Sequence, residues 1–563
     1  MGAGMAGRRG AAVGVVVGLT VGLAGCVGLP TAGPVREGDV PVGEVAAPLP
    51  FAVDPVVDGT PEEIVRGFLA AGAAGLSDDF RVARSFLTGG ATWDPGAQVL
   101  ISTSQGPQVR EEGGGSVVVT VPVQAVVDDV GVYTEAAARA PQSLEFELEQ
   151  DAGDQWRISS APSGVVMSPR DFAQLYREVP VYFASPDLTQ LVPDLRHYPA
   201  DASIMPTLAV RALLGGPSPW LRDAVRSAVP DGSQLSVSTV TVSDSVATVD
   251  LAAPVNVENT DRGLLQAQLE ATLRNLPTVI TEVSVTVGGV PWGDSSADDE
   301  MAINPGPADG PYVLVGDRLA VVAQDGIVPL ADAVPLEGLA ANSPAVSPDG
   351  EIRVVRSGRS RLMLLPQAAE PVELLTGSML IAPSVDRFGW VWSGSEVSNG
   401  TLLAVTESGE PTEIAAGWLE GSLVRSLRVS RDGTRVAVVS EDENGSVRVD
   451  VAGVVREGDR PLRLSEGWQI GASLTTATEV SWVGEVIVAV LGTTGSVGSP
   501  VMHLVPLGGP TTGLSNVENA TGIATGRGTR ALYVVDAEGE LWLRQGTVWG
   551  RVASGVSDAV FPG

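Results

Sequence analysis

The stretch Arg428-Val429-Ser430-Arg431-Asp432-Gly433 runs into the apolar strand Val436-Ala437-Val438-Val439, and the same order stands upstream, where Ala345-Val346-Ser347-Pro348-Asp349-Gly350 precedes Ile352 to Val355. The repeated unit is Ser-x-Asp-Gly followed by a strand. Variants lie at Ser384-Val385-Asp386-Arg387-Phe388-Gly389 before Trp390, at Ser481-Trp482-Val483-Gly484 before Val486, and at Asp536-Ala537-Glu538-Gly539 before Leu541. Asp and Gly accept the positive backbone torsions of a tight turn, so each unit reads as a turn joining two strands of one sheet. The units recur about every 40 to 55 residues, near the blade period of a β-propeller. From Pro311 onward, short apolar runs alternate with turns and no helical stripe interrupts them. Residues 311–563 therefore read as an all-β propeller of about six blades, with five to eight compatible with the period.

Upstream the pattern changes to α+β, twice. In residues 178–295, Val181-Tyr182-Phe183 reads as a strand and Met205 to Leu214 as a helix stopped by Gly215-Gly216-Pro217. Leu235 to Val242 and Val246 to Leu251 read as a hairpin, Leu265, Leu269, Leu273 and Leu276 form a helical core stripe, and Glu282 to Val287 closes the module. This order, with Ala212-Leu213-Leu214-Gly215-Gly216-Pro217, resembles the GerM domain of sporulation and spore-germination proteins, a family associated mainly with the cell envelope. Residues 296–310 read as a linker to the propeller. In residues 56–170, Thr60, Pro61 and Glu63 spell a helix start, with the Thr hydroxyl as N-cap and Glu63 reaching back. Ile64, Val65, Phe68 and Leu69 share one face, and Phe80, Ala83, Phe86 and Leu87 repeat the pattern in a second helix. Strands follow at Val117 to Val127, Ser143 to Glu149 and Gln155 to Ser160. Helices followed by strands suit a cone-like sheet wrapped round helices, by analogy with nuclear-transport-factor-like domains.

The first residues carry an address. Arg8 and Arg9 precede an apolar run from Ala11 to Ala24 that is too short for a permanent span of about 20 residues, so residues 1–25 read as a cleaved signal peptide. Leu23, Ala24, Gly25 and Cys26 resemble the bacterial lipobox, and Cys26 is the chain's one cysteine. Cys26 is thereby expected to carry S-diacylglycerol and an N-acyl group, a palmitate-type anchor that holds the chain at the outer face of the cell membrane. Residues 26–55, rich in Pro, Gly, Val and Ala without period, read as a tether.

Composition then excludes several activities. A formal net charge of −32 repels nucleic acid. No lysine occurs among the 35 basic residues, which removes Schiff-base chemistry and a phosphate-loop lysine. The two histidines, His197 and His503, fall in different modules and are expected to be packed rather than catalytic. There is no Gly-x-Ser-x-Gly elbow and no dinucleotide fingerprint. Acidic pairs at Asp78-Asp79 and Asp128-Asp129 and the run Asp298-Asp299-Glu300 lack the alternating oxygen ligands of a calcium loop and read as solvated charge. No metal, cofactor or catalytic residue is therefore assigned, and the chain reads as a non-enzyme. Two alternatives stay open: carboxylates that meet across the propeller mouth as in glycosidases, and Trp390, Trp392, Trp418, Trp482, Trp542 and Trp549 stacking on cell-wall glycan, although blade tryptophans usually pack in the core.

Taken together, the lipobox, an α+β region ending near Trp156-Arg157-Ile158 with Pro162 and Gly164, the GerM-like module and the terminal propeller resemble the actinobacterial lipoprotein LpqB family over nearly the whole chain. The resemblance implies an accessory lipoprotein of the MtrA and MtrB two-component system. Such a protein would touch the extracytoplasmic part of the sensor histidine kinase and influence wall maintenance and division. The alternative function is a lipoprotein that binds or hydrolyses cell-wall glycan.

Overall fold

The computed structural model describes residues 51–563 except 138–140, 231, 253–258, 293–300, 308–309, 324–325 and 496–497. The lipobox residues Leu23, Ala24, Gly25 and Cys26, the tether up to residue 50 and the acidic run Asp298-Asp299-Glu300 lie outside the described residues. The described chain has the expected α+β, α+β and all-β order, and among the described residues no helix is long and apolar enough to cross a membrane.

The first layer is set by a capped helix on a sheet. Thr60 and Glu63 form the reciprocal capping box, with Thr60 N donating to Glu63 at 2.8 Å and Glu63 N to Thr60 Oγ1 at 3.3 Å, and the helix runs Pro61–Ala74. A second, short helix spans Arg81–Ser85, started by Asp78, whose carboxylate accepts from Val82 N at 2.9 Å. A seven-stranded sheet follows, built on the long strand Ser116–Asp128. Its Val117, Val119, Val121, Val123, Ala125 and Val127 are all buried, the period-two burial of a strand with one covered face. Ile64, Val65 and Phe68 of the first helix pack on that face with Phe86, Phe146 and Leu148.

The second layer contains the antiparallel pair Tyr176–Ala184 and Gln190–Pro199, the helix Met205–Gly215, the parallel pair Val246–Leu251 and Glu282–Val287, and the helix Asn259–Arg274. Leu265, Leu269, Leu273 and Leu276 are buried in its core, as their spacing demands. The expected hairpin is interrupted: Thr241–Ser243 pairs with Val246–Leu251, and the start of the first strand returns as a single antiparallel bridge between Leu235 and Leu251. Helix Met205–Gly215 holds the stretch between them: Val240 N donates to Thr207 Oγ1 at 2.9 Å and Arg211 to the Ser238 carbonyl at 2.7 Å. Ala302–Ile303, within the segment read as a linker, adds a short parallel strand beside Gln190 and Leu191.

The described residues from Tyr312 onward make six blades around a ring. Their inner strands are Val556–Val560 (blade 1), Ala341–Val346 (blade 2), Ser384–Val385 (blade 3), Leu423–Val429 (blade 4), Thr476–Trp482 (blade 5) and Ala520–Thr525 (blade 6). Blade 1 is composite: the last strand of the chain pairs antiparallel with Tyr312–Val315, and so closes the ring. The repeated turns link inner to second strands in blades 2 to 5, and Gly350, Gly389 and Gly433 have φ of 79°, 81° and 74°. Within them Ser430 donates to Asp432 at 2.7 Å, and Asp386 accepts from Phe388 N at 2.9 Å. The Asp536 turn differs. It joins the second and third strands of blade 6, because residues 526–531 already make that blade's first turn. Its chemistry is nevertheless that of blade 3: Trp542 Nε1 donates to Asp536 at 2.7 Å as Trp392 Nε1 does to Asp386 at 2.9 Å.

Candidate functional site

The second layer sits against blades 3, 4 and 5 near the repeated turns. Tyr182 donates to Glu485 at 3.0 Å, Arg387 to Asp187 at 2.6 Å and Arg463 to Asp223 at 2.6 Å, all from turns or outer strands of the blades. Beneath Tyr182, buried Arg435 bonds both Asp432 and the Glu485 carbonyl and lies over the Trp482 ring at 5.1 Å. Burial alone would raise the Asp432 carboxyl, but Arg435, Thr434 and Ser430 hold it at about 2. This end of the ring is thus fastened by a polar network.

The opposite mouth, where the inner strands begin, holds a cavity of about 660 Å³. Its wall carries Arg356, Arg425, Arg428, Glu441, Glu479 and Asp558. Arg425 and Glu441 neutralise each other at 2.6 Å, and Arg359 and Glu396 pair at the rim. Arg356 is spent on Asn342 at 2.9 Å and on the Leu380 carbonyl at 2.7 Å. Arg428 donates to the Leu427 carbonyl at 2.9 Å and stands 3.6 Å from Glu479. The carboxyls are less well served. Burial raises Glu479 to about 7, against the pull of Arg428 and the Ile523 N–H bonded at 2.9 Å, and Asp558 adds to the rise. Burial raises Asp558 too, and depresses the Arg356 and Arg428 guanidiniums. The Glu479 side chain keeps 24% of its surface, so it faces the cavity while enclosed by the wall. A concave, charged site with two protonatable carboxyls can bind a polar partner and answer to pH.

None of these groups stands out in a motif search. A signal exists all the same: Ala382, Arg428 and Glu479 each stand two residues before the repeated serines Ser384, Ser430 and Ser481, and all three line the mouth. In blades 3 to 5 that position faces the axis, so a charge there marks the channel, whereas in blade 2 Ala345, two before Ser347, packs in the core.

The histidines lie in packing environments. His197 is buried between Tyr133 and Phe172, with ring centroids 5.4 Å from each, and burial lowers it to about 4. His503 is buried with Nε2 at 3.2 Å from the Gly492 carbonyl. Asp128 closes a turn by accepting from Val130 N and Val132 N. Trp392 and Trp482 are core residues, Trp390 and Trp418 pack at the edge of blades 3 and 4, and Trp542 and Trp549 line a second hollow on blade 6.

Comparison with known proteins accounts for this order of layers. The lipoprotein LpqB N-terminal domain model matches residues 54–173, the sporulation and spore germination model residues 180–292, and the lipoprotein LpqB beta-propeller domain model residues 317–562. Lipoprotein LpqB of Bifidobacterium longum is 31% identical over 434 residues, 72% of either chain. That of Cutibacterium acnes is 29% identical over 84% of each, and that of Streptomyces avermitilis 27% over 99% of each. With its modules in the same order and a relative of this identity over most of its length, the chain belongs to the lipoprotein LpqB family.

Proposed function

We propose that this chain is a non-catalytic, lipid-anchored accessory protein that binds the extracytoplasmic part of a sensor histidine kinase of the MtrA/MtrB type and modulates its signalling in wall maintenance and division. In this reading residues 1–25 are removed, acylated Cys26 holds the chain at the outer face of the cell membrane, and the propeller mouth receives the kinase. The observation that carries it is the open, charge-lined mouth at the end of the ring away from Tyr182, Asp187 and their partners on the blades. Both histidines are packed away from that mouth, which supports binding rather than turnover. The cell-wall glycan reading rests on a different surface, the tryptophans of blade 6.

The test is capture from detergent-solubilised membranes with the full chain, followed by mass spectrometry. Recovery of a sensor histidine kinase, lost when its external domain is deleted and weakened by Glu479→Arg, is the expected result. Recovery of wall fragments without a kinase refutes it. Separately, Cys26→Ala should release the chain from membranes on carbonate washing, and retention would refute the anchor.

A further inference from the structure

Blade 6 carries a second hollow of about 530 Å³, with a lining distinct from that of the mouth although Asn519 and Asp536 stand beside mouth-lining Thr521 and Val535 in the chain, and it is independent of the kinase reading. Its floor is two indoles on neighbouring strands, Trp542 on Glu540–Gln545 and Trp549 on Val548–Ser554, both half-buried against the core between blades 5 and 6. Each ring is fixed through its nitrogen: Trp542 Nε1 donates to Asp536 at 2.7 Å and Trp549 Nε1 to the Ser515 carbonyl at 2.8 Å. The rim is Asn516, Glu518, Asn519 and Glu538, with the Asn519 amide held on Glu538 at 3.1 Å and Asn519 in the left-handed region at φ 54°. Among the described residues, no arginine or histidine lines the hollow.

We infer that this hollow is a carbohydrate site that takes a short, hydroxyl-rich, uncharged saccharide. The face of a pyranose ring presents C–H groups that suit an indole surface, and its hydroxyls donate to carboxylates and amides at the rim. Immobilised rings and a pre-set asparagine remove ordering entropy from binding. An anionic ligand meets the carboxylates of Glu518, Asp536 and Glu538 without a cationic side chain to offset them and is disfavoured. A polyproline segment stacks on aromatic rings as well, but proline has no N–H and offers only acceptor oxygens. Here both indole donors are already consumed and the rim carboxylates accept, so the hollow's hydrogen-bonding sense matches sugar hydroxyls instead.

Isothermal titration of the full chain, purified in detergent, with chitotriose, cellotriose and maltotriose tests the assignment. A glucuronic acid oligomer and decaproline are run beside them. At least one neutral trisaccharide should bind, Trp549→Ala should weaken it about tenfold while lowering the unfolding midpoint, and the exposed Asn516→Ala should weaken it about threefold with unchanged thermal unfolding. The inference is overturned if no neutral trisaccharide binds, if both variants bind as tightly as the parent, or if decaproline or the acidic oligomer binds in their place. Because kinase capture depends on the mouth, its failure leaves this result intact.

Discussion

Replacing Glu479 with Gln should make the protein more stable at neutral and alkaline pH, and the size of the effect follows from the mouth's geometry. The carboxyl sits near 7 in the folded chain against an ordinary 4.5, because burial outweighs Arg428 at 3.6 Å and the Ile523 N–H at 2.9 Å. At about 1.36 kcal/mol per pH unit, holding the ionised form there costs about 3 kcal/mol. The sign follows from linkage. A carboxyl raised on folding leaves stability intact below about 4.5, and stability is then lost as pH climbs through about 7. Glutamine keeps an oxygen for the Ile523 N–H and carries no charge, so the variant escapes this loss. The other charges in the mouth, Arg356, Arg359, Glu396, Arg425, Arg428, Glu441 and Asp558, are unchanged by the substitution. Thermal unfolding of both proteins, followed by near-UV circular dichroism from about pH 4 to about pH 9, should show coincident midpoints at the acid end and a gap of about 6 °C at the alkaline end. A gap independent of pH, or a less stable variant above about pH 8, would refute the assignment of a buried, strained carboxylate.

Asp432→Asn should destabilise by about 3 to 5 kcal/mol, because it leaves the fully buried Arg435 without its anion, and calorimetry checks this. In the parent that carboxyl is depressed to about 2, so its contribution is present above its ordinary 3.8 and disappears only as pH falls through about 2. Tyr182→Phe removes the bond to Glu485 and should cost about 1 to 2 kcal/mol, with faster amide exchange at residues 182–184 and 483–487 as the local reading. Gly433→Ala places a Cβ 2.8 Å from the Phe388 ring at φ 74° and should cost about 1 to 3 kcal/mol. Gly358→Ala, at φ 59° with open space around it, should cost only about 1 kcal/mol, and urea unfolding of the two separates strain from clash.

Periodicity made the architecture readable, while the site depended on closure. The capping box at Thr60, the leucine stripe from Leu265 to Leu276 and the Asp-Gly turns declare themselves locally, since each is a short-range pattern with one physical solution. The strand Gln190–Pro199 escaped notice because eight of its ten residues are buried, including Asp194 and Arg196, which pair with each other at 2.7 Å. Alternation is absent in a strand covered on both faces. The mouth was harder still. Arg428, Glu479 and Asp558 are scattered over 130 residues, and only the ring brings them to one wall. The blade 6 tryptophans were visible as residue types, but the hollow between Trp549, Asn519 and Glu538 needed the strand register to appear.

The pairing of Val556–Val560 with Tyr312–Val315 joins residues some 240 positions apart. Since a polypeptide emerges from its N-terminus, the first blade must wait, missing its innermost strand, until residues 556–560 have been delivered. Throughout that interval the Tyr312–Val315 edge is unpaired and open to a neighbouring chain. A premature stop before Val556 would therefore leave a permanently open ring, so a truncation that removes little more than this strand should be as damaging as a far longer one.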